Sequence, residues 1–121
     1  MAINGYKDLI VYQKAYELAL DIHKLTLSYP KFEQYELASQ LRRASKSIAM
    51  NIAEGYGRKA RASLADFKHF LIIALGSNDE VMVQLDFSKD LEYITQDQYL
   101  SLKSTNQEIG KMLSSMLKTW T

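Results

Sequence analysis

The run Gly55-Tyr56-Gly57-Arg58-Lys59-Ala60 has the form of a phosphate-binding loop, G-x-G-x-x-A. Such a loop binds a dinucleotide when it joins a strand to a helix, because its glycines let pyrophosphate reach the helix start. Here the preceding residues carry helical periodicity, so the glycines are expected to close a helix instead. Asp66 and His69 stand three residues apart, the spacing of one carboxylate–histidine pair in a bundle di-metal site. A second pair is missing: His23, the other histidine, has Leu20 three residues before it. Ser28 and Lys31 have S-x-x-K spacing but straddle Pro30 and lack the companion motifs of penicillin-binding enzymes. With no cysteine and two distant histidines, no nucleophile and base are brought together. The expectation is a protein that is not an enzyme, without catalytic residues, metal ligands or cofactor.

The remaining chemistry is electrostatic. Formal net charge is only +1, yet residues 36–61 set Arg42, Arg43, Lys46, Arg58, Lys59 and Arg61 against Glu36 and Glu54. Residues 62–99 hold the opposite excess: Asp66, Asp79, Glu80, Asp86, Asp90, Glu92 and Asp97 against Lys68 and Lys89. Clustered cations gain affinity for phosphate by releasing counterions, so the six basic residues are the candidate nucleic-acid-binding set. The competing reading pairs Arg42 and Arg43 with acids of the following helix, within a subunit or across an interface. No helix-turn-helix, zinc finger or RNA-recognition sheet motif accompanies the cluster, so base-specific readout is not expected.

Four amphipathic segments must position these residues. Apolar positions recur at 3–4 spacing through Val11, Ala15, Leu18, Ile22, Leu25 and Tyr29, up to Pro30. A second stripe runs Leu37, Leu41, Ala44, Ile48, Asn51 and is expected to stop at Gly55 and Gly57. The third runs Leu64, Phe67, Leu71, Ala74, Asn78, Val81, Leu85 behind a Ser63 cap. The fourth runs Tyr99, Leu102, Asn106, Ile109, Leu113, Met116, Trp120 behind Thr95, with Asp97 suited to the first turn. Connections of roughly four to seven residues suit antiparallel neighbours. The fold class is therefore all-α: an antiparallel up-down-up-down four-helix bundle, one domain over residues 1–121.

A second apolar flank, Leu9, Tyr12, Tyr16 and Leu20 on the first helix and Phe70, Ile73 and Phe87 on the third, exceeds what one core can bury. A homo-oligomer is expected from this excess, with a broad core as the alternative. Asn51, Asn78 and Asn106 occupy core-stripe positions; Asn78 and Asn106 fall at similar heights, whereas Asn51 lies near the other end. The start, Met1-Ala2-Ile3-Asn4-Gly5, lacks the features of a signal peptide, and no apolar run reaches the ~20 residues of a membrane span. Together with the absence of cysteine, this gives the expectation of a cytoplasmic protein without membrane contact.

Several of these strings coincide with one family pattern. Tyr6-Lys7-Asp8-Leu9-Ile10-Val11-Tyr12-Gln13-Lys14-Ala15, Gln40-Leu41-Arg42-Arg43-Ala44, Ser47-Ile48 and Asn51-Ile52-Ala53-Glu54-Gly55 carry it, followed by Phe67, Phe70-Leu71, Ala74, Gly76-Ser77 and Glu80. The chain resembles the bacterial four-helix-bundle proteins labelled S23 ribosomal proteins, whose genes often lie in intervening sequences of 23S ribosomal RNA genes. Tyr12 stands where that pattern often has tryptophan, and Ala49 where it often has proline. The resemblance implies a homopentamer. A similar basic pentamer of diversity-generating retroelements engages nucleic acid, which carries over to Arg42, Arg43 and Arg58. The function expected is that of a non-enzymatic, self-assembling protein binding RNA or DNA through a basic surface on the second helix (Arg42, Arg43, Lys46) and the loop after it (Arg58, Lys59, Arg61). The alternative is a protein-binding accessory subunit without nucleic-acid contact.

Overall fold

The computed structural model describes residues 2–120. A short 3-10 turn, Tyr6–Asp8, leads into α1 (Ile10–Thr26). A second 3-10 turn, Lys31–Glu33, precedes α2 (Leu37–Arg61), and α3 (Leu64–Asp90) and α4 (Gln96–Thr119) follow. No strand occurs among the described residues. Each helix packs on two others: α1 on α2 and α4, α3 on α2 and α4, with no diagonal packing among the described residues. That is the square cross-section of a four-helix bundle, and α2 against α3 is its most extensive seam.

The core follows the sequence stripes. Ala15, Leu18, Ile22, Leu41, Ile48, Ile52, Phe67, Leu71, Ala74, Val81, Leu85, Ile109 and Leu113 are all essentially inaccessible. The predicted caps form: Ser63 Oγ accepts from the Asp66 amide at 3.1 Å. Thr95 Oγ1 accepts from the Gln98 amide at 3.1 Å while Gln98 Oε1 accepts from the Thr95 amide at 2.9 Å, a reciprocal pair that satisfies two otherwise orphaned donors. Asn78 and Asn106 do meet. Asn78 Nδ2 donates to the Asn106 carbonyl at 2.8 Å and to its Oδ1 at 2.9 Å, and Asn106 Nδ2 donates to the Asn78 carbonyl at 3.0 Å. Asn51, at the other end, donates to the Ser47 carbonyl and hydroxyl on its own helix.

Two expectations about helix ends are corrected. The second helix does not stop at Gly55 or Gly57; it continues to Arg61, and none of the described glycines has positive φ. Gly55 instead lets α3 come close: a Cβ there would lie 2.9 Å from Phe70 Cβ and 3.4 Å from the Phe67 carbonyl oxygen. The α2–α3 connection shrinks accordingly to Ala62 and Ser63, so Arg58, Lys59 and Arg61, expected in a loop, lie instead in the last turn of α2. The first helix ends at Thr26 rather than reaching Tyr29. Its last turn tightens through i→i+3 bonds from Leu27, Ser28 and Tyr29 to the Lys24, Leu25 and Thr26 carbonyls. At the end of α3 the left-handed position falls to Glu92, at φ 65°, where glycine would be unstrained.

Candidate nucleic-acid interface

With α2 unbroken through Arg61, 3.6 residues per turn fixes where its cations project. Leu41, Ala44, Ile48, Ile52 and Gly55 form the buried stripe. Arg43, Lys46, Met50 and Arg61 fall on the opposite side and are exposed. Arg43 and Arg61 are five turns apart, about 27 Å at 1.5 Å per residue, and point the same way. None of Arg43, Lys46 and Arg61 has an ion-pair partner among the described residues.

The other three members of the candidate set are spoken for. Arg42 turns toward the α1–α2 connection, donating to Thr26 Oγ1 at 3.0 Å, Gln34 Oε1 at 3.2 Å and the Gln34 carbonyl at 3.1 Å. Gln34 in turn donates to the Thr26 and Tyr29 carbonyls, so Arg42 braces the end of α1. Arg58 pairs with Glu54 one turn earlier at 3.2 Å, and its guanidinium lies 5.3 Å from the Phe70 ring centre. Lys59 sits 5.8 Å from the Trp120 ring centre at the end of α4.

Among the described residues, neither Arg42 nor Arg43 forms an ion pair with an α3 acid. Asp86 instead accepts a 2.6 Å hydrogen bond from the Tyr99 hydroxyl of α4. That bond, followed by burial and the charges of Asp86 and Asp90, raises the Tyr99 pKa above 10.0. Asp79 and Glu80 remain without ion pairs among the described residues. They border, with Glu33 and Glu36, a shallow α2–α3 groove that also exposes Val83, Phe87 and Leu91. Gln84 lines that groove, and its buried Oε1 has no hydrogen-bond partner among the described residues. Asp66 is half-buried and His69 exposed near the start of α3, the His69 ring edge-on to Phe70.

A larger groove was not visible in the sequence. It opens between the Tyr6–Asp8 turn, α1 and α2, with a volume of about 900 Å³. Tyr6, Tyr12 and Tyr16 follow one another along it: Tyr6 meets Tyr12 edge to face with ring centres 4.9 Å apart, Tyr16 is tilted 35° to Tyr12 at 6.0 Å, and Tyr56 joins from α2. Burial, then the neighbouring phenols of Tyr6 and Tyr16, push the Tyr12 pKa above 10.0. Lys46 and Arg61 line the same groove. Arg61 lies back over Gly57, where an added Cβ would come within 2.5 Å of its guanidinium. The signal was present in part: Tyr12 and Tyr16 are one helical turn apart, but they read as an apolar flank because nothing local connects them to Tyr56 or Lys46.

The bundle and its central Arg42–Gly55 segment have counterparts among known proteins. The pattern of the 23S rRNA-intervening sequence protein family matches residues 7–115. The chain belongs to that family. A crystal structure of a protein of unknown function from the S23 ribosomal protein family, from Bacteroides thetaiotaomicron, is similar at 33% identity. The similarity covers 91% of this chain and 96% of that one, with a TM-score of 0.81. No curated protein matches the sequence. The family's segments thus occupy α1 through α4, and the Arg43–Lys46 ridge lies inside the matched region.

Proposed function

We infer that this 23S rRNA-intervening sequence family protein is a non-enzymatic, self-assembling, cytoplasmic bundle that contacts RNA or DNA backbone through the outward ridge of α2. The observation that carries the reading is that Arg43, Lys46 and Arg61 share one exposed ridge with no acid partner among the described residues. Arg42, by contrast, braces the α1–α2 connection, and Arg58 and Lys59 turn away from the ridge toward Glu54, Phe70 and Trp120. Phosphate binding needs no pocket and no cofactor, only unpaired cations at roughly constant height along a rigid element. Self-assembly is supported by the outer stripe of α3, where Ile72, Ile73, Val83 and Phe87 are exposed. The family resemblance makes a pentamer the expected state.

The acidic, apolar α2–α3 groove favours a second reading, a protein-binding accessory subunit. Fluorescence anisotropy of a labelled, structured RNA across a salt series separates the two. Binding should weaken steeply with salt, and Arg43→Glu/Lys46→Glu should reduce the log–log slope by about one for each phosphate no longer neutralised. Absence of binding at low salt would remove the nucleic-acid reading and leave the accessory role.

A further inference from the structure

The groove between the Tyr6–Asp8 turn, α1 and α2 combines two features that phosphate binding by a ridge does not require. It has a row of aromatic rings, Tyr6, Tyr12 and Tyr16, and it has depth. Ala19, Ala49 and Ala53 line its floor, and their small side chains leave the space unfilled. Lys46 and Arg61 border it fifteen residues apart, about 22 Å along α2 at 1.5 Å per residue. The single acid of its lining, Glu54, is already engaged by Arg58. Tyr16 is 48% exposed, so much of its ring stands free in the groove.

Cations that track a backbone, interleaved with rings that offer a flat face to any base, are the two parts of a single-strand binding surface. A duplex keeps its bases stacked inside and could use only the cations. The geometry points to this groove as a site for an unpaired stretch of nucleic acid, with bases stacked on the Tyr12 and Tyr16 rings and phosphates held by Lys46 and Arg61. The assignment rests on the nucleic-acid reading of α2 and narrows its target from any phosphate backbone to single-stranded segments. Tyr12 holds its proton below pH 10 and so keeps a neutral phenol beside the phosphates.

The test uses the full chain, a labelled oligouridylate strand, and an RNA hairpin duplex of equal phosphate number. The strand should bind at least tenfold more tightly than the duplex. Tyr16→Ala should weaken strand binding about tenfold, roughly the stacking of one base, and leave the salt slope unchanged. Tyr16→Phe should restore it, because stacking needs the ring and not the hydroxyl. Lys46→Glu should lower the salt slope for strand and duplex alike. Equal binding of strand and duplex with no effect of Tyr16→Ala would overturn the groove assignment while leaving the ridge reading intact. No binding of either RNA at low salt would overturn both. If Tyr16→Ala shifted the mass by light scattering from oligomer to monomer, the groove would be a subunit interface and the assignment would fall.

Discussion

At the scale of single residues, glycine spacing meant something other than its sequence context suggested. Gly55 is buried in the α2–α3 seam with helical φ, and its missing side chain is what allows the Phe67–Phe70 turn to approach. Gly110 plays the same part on α4, since a Cβ there would lie 2.6 Å from Asn78 Oδ1 and push apart the Asn78–Asn106 pair. Gly55→Ala should therefore destabilise by about 1–3 kcal/mol, the usual cost of overpacking, although alanine is the better helix former by about 1 kcal/mol. Urea unfolding measures it. An unchanged or raised midpoint would mean that the seam relaxes without cost and that Gly55 is not a spacer. Arg42 shows the reverse case: a cation read as a ligand contact is consumed by Thr26 and Gln34, and its charge is satisfied by three acceptors.

Three tyrosine hydroxyls add polar ties between elements beside the Asn78–Asn106 pair and the Arg42 brace. Tyr29 donates to Ser88 at 2.7 Å, Tyr93 to Glu33 at 2.8 Å and Tyr99 to Asp86 at 2.6 Å, tying the first connection and α4 to α3 and the α3–α4 connection to the Lys31–Glu33 turn. The single ion pair between helices among the described residues is Lys14–Glu108, at 2.6 Å and half-exposed, of a kind that contributes little. Tyr12, Tyr29, Tyr93 and Tyr99 all have pKa values raised above 10.0, with burial the first cause for the first three and the Asp86 hydrogen bond for Tyr99. The folded state thus holds these protons more tightly than the unfolded chain does. The resulting stabilisation is complete below pH 10 and is lost as pH rises through the raised folded values. Thermal unfolding should show Tm falling from about pH 10 upward, and Tyr99→Phe should lower Tm at neutral pH while flattening that alkaline fall. A variant with the parent's alkaline profile would show that the Tyr99–Asp86 bond does not contribute to it.

For the whole molecule, the decisive feature is that α3 is apolar on two sides. Phe67, Leu71, Ala74, Val81 and Leu85 face the core, and Ile72, Ile73, Val83 and Phe87 face outward with Leu91 just beyond. An exposed apolar stripe of this kind is the usual mark of a contact surface, which is the basis of the proposal that the chain self-assembles. Light scattering at micromolar concentration should return a multiple of the 13.9 kDa chain mass. Val83→Lys/Phe87→Lys should reduce that mass to the monomer with helical circular dichroism retained. Retention of the parent mass would place the subunit contacts elsewhere.

Fold class, the number of helices, the core stripes, both side-chain caps and the Asn78–Asn106 height match were legible in the residues, because helical periodicity and capping are local and depend on neighbours within a few positions. The family was legible too, from strings such as Asn51-Ile52-Ala53-Glu54-Gly55. What the sequence left open was where charges and rings end up once helices pack. Six cations within twenty residues read as one cluster. Packing sorts them into a braced Arg42, an ion-paired Arg58, a Lys59 set against Trp120, and an open ridge of Arg43, Lys46 and Arg61. Tyr6, Tyr12, Tyr16 and Tyr56 likewise became one groove only when α1 was laid against α2. Only the Arg58–Glu54 pair is local to one helix; the Lys59–Trp120 contact and the meeting of α1 tyrosines with Tyr56 and Lys46 depend on how helices pack, and no periodicity within a single helix records which face its neighbour will cover.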